Sequence, residues 1–182
     1  NWFFIYHANS IKEWSTPKGM ASALRNLGVN LIEFTFNNPN DFKLPPNEYF
    51  IKNQISTVLT FYAGKNKILE KDLLKLKNEL NIIIVCELGD EPQTLIHNDQ
   101  IVRIANISLT PDYRSSLYWQ NQGNNCVWFS HWADTKLYKK NSNKSKNIFI
   151  GTTMGRRRYH FLLKVILGNS FFNKRCSPEE NV

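Results

Sequence analysis

Several features are scarce in this sequence, and each absence excludes a class of protein. Its three cysteines, Cys86, Cys126 and Cys176, stand far apart and in no metal-ligand spacing, which rules out a zinc-finger framework or a disulfide scaffold. An odd, unframed set of thiols at strand-like positions fits small buried hydrophobes in a reducing, cytosolic compartment. No G-x-G-x-x-G segment occurs, so a dinucleotide site of the usual fingerprint is not expected. Apolar runs such as Val29 to Phe36 and Ile82 to Val85 are far too short to span a bilayer. No basic stretch followed by an apolar core opens the chain, so no secretory leader is expected. There is also no internal repeat of fixed period. The chain starts at Asn1, directly on strand-like residues, which is expected of a piece of a longer protein.

What is present is an ordinary globular composition, 42% hydrophobic and 21% charged, which excludes a disordered chain. The formal charge of +8 would suit nucleic acid, an anionic membrane face or a phosphorylated ligand. The cations are scattered along helices such as Lys65 to Lys77, where they read as a solvated face, but concentrate at Lys136 to Lys146 and Arg156 to Arg158.

Apolar runs alternate with stretches of helical period, the pattern of βαβ units and a mostly parallel, Rossmann-like α/β sheet flanked by helices. Trp2 to Tyr6 reads as a buried strand, and Ser15-Thr16-Pro17 as a helix start. Met20, Ala21, Leu24 and Leu27 share one helical face, Gly28 stops the helix, and Val29 to Phe34 is the second strand. Asn37 to Asn47, with Pro39, Pro45 and Pro46, is a loop. Strands follow at Ile55 to Phe61, Asn81 to Cys86, Ile104 to Leu109 and Cys126 to Ser130. Helices are expected over Ile68 to Leu80, after Pro92, and from Tyr113 to Gln122, with Gly123 as a stop. Residues 1–138 then form a first domain and 139–146 a polar linker. Residues 147–182, with a strand at Asn147 to Gly151 and a helix at Arg156 to Leu167, open a second α/β domain.

In open α/β sheets ligands bind beyond the carboxyl ends of the strands, so candidate site residues are those that follow each strand. After the first strand come His7 and Asn9, and then Gly19, where a missing side chain lets backbone approach a ligand. His7 is either a general base or a satisfied strand-end histidine. Glu87, Asp90 and Glu91 follow the Cys86 strand and could supply a catalytic base, bind sugar hydroxyls, or merely cap the next helix. Asp112 reads most simply as a helix cap. His131, Trp132 and Asp134 combine a stacking ring with hydrogen-bonding groups, which suits a sugar; the alternative is a packed hinge between domains. Gly151, Thr152, Arg156 and Arg157 put a hydroxyl, backbone N–H groups and guanidinium forks at a helix start, a chemistry for diphosphate.

Taken together, His131-Trp132-Ala133-Asp134, the polar linker, Ile148 to Gly151 and Arg156-Arg157-Arg158 resemble the domain junction of GT-B glycosyltransferases, families 1 and 4 in type. The nearest group is that related to spore-maturation protein B. Pro111-Asp112-Tyr113 with Tyr118 and Gly123, and the opening His7 to Leu24, are similar to further parts of the same acceptor-side domain. The sequence departs from the group at Ser130, where proline is usual, and at Trp132, where a small residue is common.

The resemblance implies two Rossmann-like domains with catalysis in the cleft between them, a nucleotide-sugar donor as substrate, and no resident cofactor or metal. Arg156 and Arg157 would approach the donor diphosphate, and His7 with the Gly19 loop would line the cleft opposite. The acceptor would be a glycan or a lipid-linked molecule, with peripheral association at the inner membrane face and no nucleic-acid partner. Most of the donor-side domain would lie beyond Val182, so this chain alone is expected to be inactive. Two other readings stay open: a non-catalytic α/β module that binds a nucleotide or a protein, and a nucleic-acid binder working through the basic surface.

Overall fold

The computed structural model describes residues 1–7, 16–37, 43–62, 67–89, 95–129, 149–150 and 171–172. The chain divides into two compact units, Asn1–Trp132 and Ala133–Val182.

The first unit is a Rossmann-like α/β layer structure. Its elements run β1 (Trp2–His7), α1 (Thr16–Asn26), β2 (Leu31–Phe36), α2 (Asn47–Lys52), β3 (Thr57–Tyr62), α3 (Lys67–Leu80), β4 (Ile83–Leu88), α4 (Leu95–Ile104), β5 (Ile107–Thr110), α5 (Tyr113–Asn121) and β6 (Cys126–Trp128). The six strands form one sheet in the order β2-β1-β3-β4-β5-β6, and every pairing is parallel. Parallel strands must be joined by crossovers, and these are almost always right-handed. The step from β1 to β2 runs toward one edge and every later step toward the other. Constant handedness therefore puts α1 on one face and the remaining helices on the opposite face.

The core shows this division residue by residue. On one face Phe4, Tyr6, Leu31, Leu59 and Val85 pack with Met20 and Ala21 of α1. On the other, Phe3, Ile5, Val58, Ile84, Cys86 and Leu88 pack with Phe50 of α2, Leu69, Leu73 and Leu76 of α3, Ile101 and Val102 of α4, and Trp119 of α5. The alternation along β1 is the two-residue period of a strand buried on both faces. Aromatic contacts tie α2 to the sheet: the Phe3 ring lies 5.1 Å from Phe50 and 6.1 Å from Tyr49, in edge-on geometry.

Two glycines act as the sequence suggests. Gly28 and Gly123 follow α1 and α5 with φ of +83° and +80°, the left-handed conformation that ends a helix. Asp112 caps α5, its carboxylate accepting from the Ser115 N–H at 2.7 Å. Some boundaries differ from the sequence reading. Leu27 and Gly28 form the turn out of α1, Val29 and Asn30 link it to the sheet, and the second strand starts at Leu31. Asn81 takes φ of +53° as a left-handed cap on α3, which delays β4 to Ile83. Ile104 belongs to α4 rather than to the next strand. The short helix α2 carries only Phe50 as a buried residue, so no periodic pattern marks it in sequence.

In the second unit, β7 (Phe149–Ile150) and β8 (Phe171–Phe172) pair in parallel.

Candidate functional site

The strand order reverses between β1 and β3, since the chain leaves β1 toward β2 and later returns to pair β3 on the other side. The carboxyl ends of strands at such a switch point form the crevice where open α/β sheets bind ligands. His7 is the last residue of β1, and α1 enters from the same edge.

His7 packs edge-on against Phe36 at the end of β2, with ring centroids 5.3 Å apart. It is half-buried and lies on the face of Phe3 and Ile5, away from α1. Gly19 lies in the first turns of α1 beside the buried Pro17 and Met20 and is itself half-buried. On the α1 face, Glu33 of β2 collects three donors. Lys18 Nζ lies 2.7 Å from its Oε2, an Arg25 guanidinium nitrogen lies 2.6 Å from its Oε1, and the Tyr6 hydroxyl also donates to Oε2. Burial opposes ionisation of Glu33, but the hydrogen bonds from Lys18, Tyr6 and Arg25 outweigh it and bring its pKa down to about 2. Burial, and then the bond to Glu33, raises the Tyr6 pKa, while the bonds to Glu33 and Tyr6 raise that of Lys18. The Lys18 ammonium also lies 5.7 Å from the centre of the Tyr6 ring.

Glu87, one residue before the end of β4, has the opposite surroundings. It pairs in register with Phe61 of β3 and Leu109 of β5, and is only 5% exposed. Among the described residues its Oε2 has no hydrogen-bond partner. Burial alone pushes its pKa up to about 8, so at neutral pH it is mainly the protonated acid. Glu87 shares the α1 face with Val85, whereas His7 lies on the other face with β3 between the two strands. At the parallel-strand spacing, β1 and β4 are about 10 Å apart. The structure thus brings His7 and Glu87 to the same edge of the sheet but not into one acid–base pair.

At the far end of the same edge, Trp128 and Tyr113 meet edge-on at 5.7 Å, and Trp128 Nε1 donates to the Pro111 carbonyl at 3.3 Å. Both rings remain more than half exposed. The sequence reading assigned the stacking ring to Trp132; Trp128 offers the same chemistry within β6. Asn9, Asp90, His131, Trp132, Asp134, Gly151, Thr152, Arg156 and Arg157 lie outside the described residues.

The Tyr6–Lys18–Glu33–Arg25 cluster is absent from the sequence reading. Its signal is a lone glutamate in an apolar strand, facing a helix whose two cations are seven residues apart and so on one face. A groove of about 380 Å³, lined by Lys43, Leu44, Glu48, Asp72, Lys75 and Leu76, lies between α2 and the middle of α3 rather than at the carboxyl ends of the strands. Its lining carries as many acids as bases, which favours neither an anion nor a cation.

Among the described residues, no group of three or more His, Cys, Asp or Glu side chains is placed to hold a metal ion. Among them too, no helix is long and apolar enough to cross a membrane. Comparison with protein families, curated proteins and solved structures finds no match to this chain.

Proposed function

We propose that this chain is part of a glycosyltransferase of the GT-B type, moving a sugar from a nucleotide-sugar donor to a glycan or lipid-linked acceptor. The observation that carries the reading is the all-parallel sheet whose order reverses between β1 and β3, with His7 at the switch point and Glu87 on the same edge. In this reading the first unit, Asn1–Trp132, receives the acceptor, with His7, Gly19 and Glu87 contributing to its site. Gly151, Thr152, Arg156 and Arg157 bind the donor diphosphate. The nucleotide-sugar is a substrate, and no cofactor is needed. Work takes place in the cytoplasm, with peripheral contact at the inner membrane face.

The test is calorimetric titration of UDP, GDP and UDP-glucose into the whole transferase of which this chain is part and into its Arg157→Ala variant. Each charged hydrogen bond lost costs about 1.5–3 kcal/mol, so the variant should bind a diphosphate at least tenfold more weakly. Absence of binding across the nucleotide panel would leave a non-catalytic α/β module as the better reading. The half-exposed Trp128–Tyr113 pair is the observation that favours such a module, since exposed rings at a sheet edge also suit a protein partner.

A further inference from the structure

Two carboxylates lie on the α1 face of the sheet, and only one is satisfied. Glu33 has three donors, while Glu87 is 95% buried with Oε2 unpartnered, beside Phe61 and Leu109. An unpaired polar atom under so much burial is unfavourable, and an apolar residue would fill the position without that penalty. The neighbouring strands offer Glu87 no charge to meet. Phe61 and Leu109 are apolar, and Tyr6, Lys18 and Glu33 on the same face are engaged with one another. Cys86, whose thiol pKa is raised by burial and then by the adjacent Glu87, points to the opposite face. Among the described residues nothing supplies the missing donor, and Glu87 sits where ligands of such sheets bind.

We propose that Glu87 grips hydroxyl groups of the carbohydrate ligand, and that binding removes its proton. The bound hydroxyls donate to the two carboxylate oxygens, and the carboxyl proton passes to solvent. This rests on the transferase reading of the same site and adds to it the ligand group that Glu87 contacts and a proton linkage. With its pKa raised to about 8, Glu87 is mainly protonated at pH 7, so sugar binding there releases up to one proton. Affinity accordingly climbs about tenfold per pH unit between pH 6 and 8, and levels off above.

The experiment is calorimetry of maltose, cellobiose, UDP and UDP-glucose against the whole transferase of which this chain is part at pH 7, in phosphate and in Tris, whose ionisation heats differ. The expected result is release of most of one proton per bound sugar, lost together with the pH slope in Glu87→Gln. Sugar binding without proton release, or release unchanged in Glu87→Gln, overturns the inference. If UDP binds while no sugar moiety releases a proton, the inference fails and the transferase reading stands. If neither nucleotide nor sugar binds, both fall. Folding of the variant is checked by urea denaturation, which reads the buried acid independently. Glu87 has a folded pKa above its unfolded value, so its stabilising contribution is full below pH 4.5 and is lost as pH rises toward 8. Relative to Glu87→Gln, the wild type should lose stability over that range, and a pH-independent difference would also overturn the proposal.

Discussion

Replacing Glu33 by glutamine should destabilise the first unit in a way that depends on pH, and the structure sets both the size and the window. A carboxyl lowered from 4.5 to about 2 corresponds, at 1.36 kcal/mol per pH unit, to roughly 3 kcal/mol of linkage. That figure is a ceiling, because Lys18 and Arg25 are 32% and 47% exposed and solvent screens their attraction. A loss of about 1–2 kcal/mol at pH 7 is the discounted expectation. The folded pKa lies below the unfolded one, so the contribution is complete above pH 4.5 and disappears as pH falls toward 2. The assay is urea denaturation followed by circular dichroism, for wild type and Glu33→Gln side by side, from pH 7 to pH 3. Taking the difference between the two proteins cancels every other carboxylate. The difference should shrink to less than half its neutral value by pH 3 and fall further in high salt. A difference that holds constant across this range would show that Glu33 acts through packing alone and would refute the reasoning.

Two further perturbations test how the helices are closed. Asp112→Ala removes the acceptor for the Ser115 N–H and should cost about 1 kcal/mol by denaturation, with Asp112→Asn recovering most of the loss. Gly28→Ala meets no atom within 4 Å of the new Cβ, yet imposes φ of +83° on an L-residue; the midpoint should fall by the equivalent of about 1–2 kcal/mol.

Much of this fold is legible in sequence because its signals are local. Gly28 and Gly123 stop helices wherever they fall, Asp112 precedes its helix by one residue, and Leu69, Leu73 and Leu76 repeat at helical spacing. What escapes is set by register or by short length. α2 is too short to show a period, and the shift of β2 to Leu31 depends on how α1 unwinds through Gly28. The candidate site is legible only as a place. Reading the residues after each strand leads to His7 and Glu87, but not to their lying on opposite faces of the sheet, because a face is fixed by pairing with distant strands.

Glu33 and Glu87 show why chemistry is harder to read than architecture. Each is a lone acid in an apolar strand, and each points to the face that α1 covers. One sits on the outermost strand, where Lys18 and Arg25 of the preceding helix reach it, and it is held ionised. The other sits two strands further in than β1, beyond those cations, and burial holds it protonated. The strand order that sends β1 first to one side and then to the other thus separates an ionised carboxylate from a protonated one. Permuting the two residue types is the corresponding physical statement: Glu33→Gln removes stability at neutral pH, whereas Glu87→Gln leaves or raises it. A loss at one site and none at the other, from the same substitution on one face of one sheet, follows only if the environments differ as described, and losses at both would contradict the assignment of both residues.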